Sequence, residues 1–248
     1  MKIGISNSLF IDNGADLQKT LEFIEKKTKI AELVCDGKIN ALENKDVLDN
    51  YKLKYTLHAP MEDLNISCHR EKIRKASIEY IEEILKIIAD KIGVIVIHPG
   101  EVFCKDDYEK SLKAIIKSIG ELNKLQNEYG VKIAIENMPN LDRKMFKRPE
   151  KEIINNLNEV GICLDMGHAH LNNAIEEFLN YKEKIVHVHI HDNLGINDDH
   201  LPIGFGKIDF EKYKKDLKKL KAIFILEHKY RDIEYIDSSL NSVKSILS

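Results

Sequence analysis

Eight short runs rich in apolar and β-branched residues recur along the chain, at residues 2–6, 31–35, 54–58, 94–98, 132–136, 161–165, 185–190 and 222–227. Between them lie stretches with a different rhythm. In residues 73–92, Ile73, Ile78, Ile81, Leu85 and Ile88 return every three to five positions with Glu and Lys between them, which predicts a helix. Residues 108–128 and 237–247 follow the same rhythm. Strands alternating with helices imply parallel β-α-β units. Eight such strands predict a closed (β/α)8 barrel, a TIM barrel. An open doubly wound sheet is the competing arrangement, but no glycine-rich dinucleotide fingerprint follows the first run. The chain's 248 residues match the roughly 250 of one such barrel. No linker, low-complexity tract or shift in composition divides it, so a single domain over 1–248 is expected.

The ends of the runs carry the chemistry. From the third onward they finish on His58, His98, Glu136, Asp165, the His189 region and Glu227. Side chains two apart on a strand share a face. Beneath His98 on that face lies Val96, beneath Glu136 lies Ala134, beneath Asp165 lies Cys163, and beneath Glu227 lie Ile225 and Ile223. Each ionisable group thus caps an apolar layer, as a filled barrel with a site at its mouth requires. A carboxylate there is costly unless paired or metal-bound. A lone strand-end histidine is commonly structural, but six consecutive strands ending in ligand-type residues point to a metal cluster. The seventh run is ambiguous, because His187, His189 and His191 share one face and only one or two can reach the mouth. His189 is favoured, with His187 expected below it, buried and hydrogen-bonded. After this run Asp198 and His200 stand two apart in an extended loop, able to chelate one ion. Mixed histidine and carboxylate donors suit zinc, manganese or iron.

Charge and cysteine content narrow the setting. The net charge is −3, which gives no global basic field for nucleic acid. Four cysteines, none in a C-x-x-C pair, call for no disulfide framework, so a reducing cytoplasm is expected. No secretory signal or membrane span is expected, and no protein partner is implied. Arg143, Lys147 and Lys229 lie on the mouth side and are candidate substrate contacts. His228 is expected to face away from the mouth.

As an ordered set, His-Ala-Pro, His-Pro-Gly, Ile-Glu-Asn, Leu-Asp-Met-Gly-His, His-Ile-His-Asp, Asp-Asp-His-Leu-Pro-Ile-Gly-Phe-Gly and Leu-Glu resemble the xylose isomerase-like TIM-barrel superfamily. That superfamily includes endonuclease IV of AP endonuclease family 2 and many sugar isomerases and epimerases. Resemblance to endonuclease IV implies a hydrolase, a zinc phosphodiesterase in DNA repair with up to three Zn2+. The first would be held by His58, His98 and Glu136, and the second by Glu136, Asp165, His189 and Glu227. The third would be held by His168, Asp198 and His200. DNA with abasic sites, or another phosphodiester, would be the substrate, with Glu136 and Glu227 as catalytic groups. Resemblance to the isomerases implies a single Mn2+ or Mg2+ on Glu136, Asp165, His189 and Glu227. Those two glutamates would then move protons beside the carbonyl of a small sugar or sugar phosphate. The chain differs from endonuclease IV in three respects. Met61 stands where that enzyme carries a DNA-probing aromatic residue. Met138-Pro139-Asn140-Leu141 and a basic loop replace a glycine-rich segment. The chain also has no tryptophan.

Overall fold

The β-branched runs form strands because their side chains pack well on a pleated surface between two apolar layers. A computed structural model describes residues 2–11 and 13–248. It contains eight parallel strands: β1 (Ile3–Ser6), β2 (Ile30–Val34), β3 (Lys54–His58), β4 (Ile92–Ile97), β5 (Lys132–Glu136), β6 (Gly161–Asp165), β7 (Ile185–Ile190) and β8 (Ile223–Leu226). They pair in sequence order, and β8 pairs with β1, which closes the barrel. The helices between them are α1 (Leu17–Lys27), α2 (Glu71–Ile88), α3 (Tyr108–Tyr129), α4 (Lys151–Asn156), α5 (Met166–Leu171), α6 (Ile175–Leu179), α7 (Phe210–Leu217) and α8 (Ile236–Leu247). The chain is thus a (β/α)8 TIM barrel. No helix among the described residues is long and apolar enough to cross a membrane.

Boundaries follow local chemistry. Asp16 caps α1 by accepting the Lys19 N–H at 2.9 Å, and Gly130 ends α3 in the left-handed region at φ 68°. The helix expected over 73–92 ends at Ile88, and Ile92 already belongs to β4. Ile88 and Ile92 are four apart, so helical spacing continues past the helix into the strand and hides the boundary.

Two apolar layers surround the strands. Outward residues such as Ile5, Leu33, Leu57, Ile95, Ile133, Leu164 and Val188 join the helices in one large core. A second, small cluster of Val94, Val96, Ala134 and Cys163 lies apart from it. Three of its members are the residues expected beneath His98, Glu136 and Asp165. The interior also holds fully buried Glu32, Thr56 and His187, whereas branched aliphatic residues dominate most such barrels. The Thr56 hydroxyl donates to Glu32 Oε2 at 3.2 Å, and His187 Nε2 lies 2.7 Å from the same oxygen. His187 is therefore buried below the mouth and hydrogen-bonded.

Candidate metal centre

The barrel aims its strand ends at one space. His58, Glu136 and Asp165 are the last residues of β3, β5 and β6, and His98 and Glu227 directly follow β4 and β8. His189 is the next-to-last residue of β7 and pairs in register with Asp165 and Ile225. Their donor atoms meet around Glu136. His58 Nε2 lies 3.1 Å from Glu136 Oε2, His98 Nε2 3.6 Å, and His189 Nδ1 3.4 Å. His168 Nδ1 lies 3.2 Å from Glu136 Oε1. His189 Nδ1 also lies 3.5 Å from Glu227 Oε2 and 3.9 Å from Asp165 Oδ2.

Among the described residues, five sets of donor atoms converge closely enough to hold ions, and three of them stand at the strand ends: His58, His98 and Glu136; Glu136, Asp165 and His189; and His168, His191, Asp198 and His200. Glu227 approaches through His189, in a set that also includes Glu32. A further set, Cys163, His187 and His189, lies deeper. Every residue named as a metal ligand from the sequence therefore reaches this cluster.

Some orientations depend on residues that the pattern of strand ends does not single out. Asn137 exchanges two hydrogen bonds with the Asp165 backbone, at 2.8 and 3.0 Å, and its own carbonyl lies 2.8 Å from His168 Nδ1. Asp165 accepts the His168 N–H at 2.6 Å, so it caps α5 as well as facing the site. Fully buried His191 places Nε2 3.2 Å from Asp165. Its ring occupies space that only glycine leaves open at 167, where a Cβ would come within 2.0 Å of His191 Cε1.

Buried Asp192 organises the loop between β7 and α7. It accepts four backbone N–H bonds, from Asn193 and Ile208 on Oδ1 and from Gly204 and Gly206 on Oδ2, at 2.9 to 3.1 Å. This loop carries Asp198 and His200, and His200 is held at φ 50°, outside the range most side chains adopt. His168 Nε2 and His200 Nε2 each approach Asp198 Oδ2 to 3.1 Å. Asp192→Ala would leave the buried N–H groups of Asn193 and Ile208 unpaired, each costing about 1–3 kcal/mol, and would release the turn at Gly204 and Gly206. In a metal titration this variant should lose the ion of the His168–Asp198–His200 set and keep the others. Unchanged stoichiometry would show that the loop is fixed by other means.

Electrostatics follow the geometry. Burial alone would raise the carboxylates, but the facing imidazoles outweigh it and hold Glu136, Asp165 and Asp198 below their ordinary range. Burial likewise opposes imidazolium at His58 and His200. The Glu136 and Asp198 carboxylates nevertheless push these two up to about 9. His168 and His189 are raised as well. His98 goes the other way, to about 3, because desolvation exceeds its attraction to Glu136.

A cavity of about 540 Å³ opens above the cluster. Its polar wall includes His58, His98, Glu136, His168, Asp198, His200 and Glu227, and Leu9, Ile11, Met61, Met138 and Leu141 line the apolar side. His228 lines it too, where strand alternation pointed it away; β8 ends at Leu226, so that alternation no longer applies at 228. Of the basic candidates, Lys229 lines the cavity, together with Lys144. Arg143 stacks on Phe103 at 4.2 Å and Lys147 donates to the Leu141 carbonyl, so neither is among the lining residues.

The family model described as xylose isomerase-like TIM barrel matches residues 19–246. The chain belongs to the xylose isomerase-like TIM barrels. Among proteins of this fold, it is 48% identical over 250 residues to the uncharacterized protein MJ1614 of Methanocaldococcus jannaschii, covering 100% of both chains. It is 28% identical to a probable endonuclease 4 of Mycoplasma mycoides subsp. mycoides SC, covering 75% of this chain and 73% of that one. The crystal structure of a D-tagatose 3-epimerase-like protein superposes with a TM-score of 0.85 at 30% identity, covering 100% of this chain and 97% of that one. The relatives thus include one named as a probable endonuclease 4 and one named as a D-tagatose 3-epimerase-like protein.

Proposed function

We propose that this barrel is a divalent-metal phosphodiesterase of the endonuclease IV kind, acting on DNA with an abasic site or on a related phosphodiester. The observation that carries the reading is the convergence of three donor sets on one cavity, with Glu136 common to two of them. A mononuclear sugar epimerase needs the Glu136, Asp165, His189 and Glu227 set alone. In that reading His168 contacts sugar oxygens, and His58, His98, Asp198 and His200 become substrate or structural groups, so their convergence on Glu136 and Asp198 favours the first reading.

The donors fit cations. Both ring nitrogens of His189 and Oδ1 of Asp198 are buried without a hydrogen-bond partner. Such orphaned groups are costly unless something else satisfies them. His58, His98 and Glu136 would hold one ion, Glu136, Asp165, His189 and Glu227 a second, and His168, Asp198 and His200 a third. The donor mixture suits zinc. Bound ions supply Lewis acidity toward a phosphoryl oxygen and lower the pKa of water. The chain's own contribution is to keep the carboxylates ionised and to exclude bulk water from the floor of the cavity. Lys229, whose Nζ lies 3.4 Å from the Asp198 carbonyl, offers a cation to a phosphate at the cavity edge. Arg143 and Lys147, outside the cavity lining, would meet flanking backbone of a polymeric substrate.

The second reading, a sugar or sugar-phosphate epimerase with one Mn2+ or Mg2+, draws on the apolar cavity wall. Leu9, Ile11, Met61, Met138 and Leu141 suit a small molecule and provide no aromatic wedge for a duplex. Metal analysis after purification without chelator, followed by assays with abasic duplex DNA and with ketoses, separates the two. The phosphodiesterase reading expects about three zinc ions per chain and strand nicking. One ion, no nicking and exchange of a carbon-bound proton on a ketose would replace it with the epimerase reading.

A further inference from the structure

Glu32 is a fully buried carboxylate inside the barrel, at the middle of β2 and two residues below its C-terminal end. Burying an ionised group costs several kcal/mol unless its surroundings compensate. Two histidines of β7 face it. His187 Nε2 lies 2.7 Å from Oε2, and His189 Nε2 lies 3.0 Å from Oε1. Thr56 supplies a hydroxyl to Oε2. The His187 contact is a well-formed hydrogen bond. The His189 contact is close but misaligned, so Oε1 and both nitrogens of His189 remain without a hydrogen bond.

The His189 ring is thus suspended among four carboxylates. Nε2 faces Glu32, and Nδ1 faces Glu136, Glu227 and Asp165 at 3.4 to 3.9 Å. An imidazole that binds a cation must present a lone pair on one nitrogen and keep its proton on the other. The partner of that second nitrogen fixes both the tautomer and the ring angle. With only Glu136, Asp165 and Glu227 around it, the ring would gain by turning an N–H toward them. It would then have no lone pair to offer a cation.

We infer that Glu32 is the positioning residue of the metal centre: its Oε1, 3.0 Å from His189 Nε2, is the acceptor for that nitrogen's proton when the Nδ1 lone pair serves a cation held among Glu136, Asp165 and Glu227. The inference rests on the reading that His189 belongs to a cation site. His187 anchors Glu32 from below through the other oxygen, and the Thr56 hydroxyl shares that oxygen. Glu32 is thereby held by groups that are not themselves at the mouth. The deeper set of Cys163, His187 and His189 is then explained without an ion, because the Nε2 atoms of both histidines already face Glu32.

The test is zinc affinity, measured by competition with a chromophoric chelator on the full chain. Melting curves run alongside confirm that each variant is folded. Glu32→Gln keeps the shape and removes the charge. It should weaken zinc binding at the His189 site by about 10- to 100-fold, the usual effect of losing an outer partner of a ligating histidine. Glu32→Asp, which draws the carboxylate back from the ring, should weaken it in the same direction and serves if the glutamine variant does not fold. His187→Gln removes the anchor that holds Glu32 and should weaken zinc binding in the same direction, by less than Glu32→Gln. A purely structural Glu32 would give the opposite pattern: lowered melting temperature with zinc affinity unchanged in Glu32→Gln and Glu32→Asp. That result overturns the inference. His189→Ala serves as the reference. If it binds zinc as tightly as the wild type, the cation-site reading itself fails, and that outcome is distinct from a failure of Glu32.

Discussion

Replacing Glu136 with glutamine should abolish metal-dependent turnover and, in the same protein, empty two of the three donor sets. Glu136 is common to the set with His58 and His98 and to the set with Asp165 and His189. A neutral amide keeps the volume but gives up the charge that holds His58 near a pKa of about 9. The four nearby imidazoles, His58, His98, His168 and His189, then lose the carboxylate they face at 3.1 to 3.6 Å. Losing several kcal/mol of transition-state stabilisation corresponds to a rate lower by ~10³-fold or more. Metal analysis of Glu136→Gln should find the ion of the His168–Asp198–His200 set and little else. A variant with full turnover on either substrate class would remove Glu136 from the centre of the site.

Stability against pH is the second large effect, and its sign depends on metal. In the metal-free protein His58 and His200 have pKa values raised to about 9, above the ordinary 6.5. Groups raised in this way contribute stability that is complete below 6.5 and disappears as pH climbs through 9. His98 and His228 are depressed to about 3, chiefly by burial. The unfolded chain protonates these two first, so they subtract stability as pH falls from 6.5 towards 3. The metal-free protein should therefore be most stable near pH 6.5 and weaken on both sides. The alkaline arm for His58 alone amounts to up to about 3 kcal/mol between pH 6.5 and 9. Zinc requires neutral imidazoles, so loading should erase the alkaline arm and add about 4 kcal/mol at a thousandfold excess over the dissociation constant. Urea titrations at pH 6.5 and 9, with zinc and with chelator, measure this. An alkaline decline of equal size in both forms would show that the histidines do not exchange protons for metal.

The strand ends are legible in the sequence because a barrel imposes two periodicities at once. Side chains alternate inward and outward along each strand, and the inward positions can turn polar where the strand reaches the mouth. Val96 under His98, Ala134 under Glu136 and Cys163 under Asp165 follow from that rule. Height along the barrel also separates His187, buried at Glu32, from His189 and His191, both of which reach the cluster. Glu32 is hidden because it lies inside an apolar run instead of at its end. Its justification is His187, 155 residues away, so no local pattern announces it. Asn137 and Asp192 are hidden for a related reason. Both act through backbone groups, and those depend on loop conformation that side-chain periodicity does not encode. The short α4, α5 and α6 offer too few turns for a helical rhythm to emerge.

The closed strand order gives the metal centre one more property. Its donors arrive one strand at a time, from His58 on β3 to Glu227 after β8, and β8 must pair with β7 before Glu227 stands beside His189. No stretch of chain that stops short of β8 can assemble the full set. Capture of a cation by the full set would therefore be a late event in folding, after the last strand has joined the sheet. Such an ion could not serve as a template for the first units to form. It would act as a latch on strands already in place.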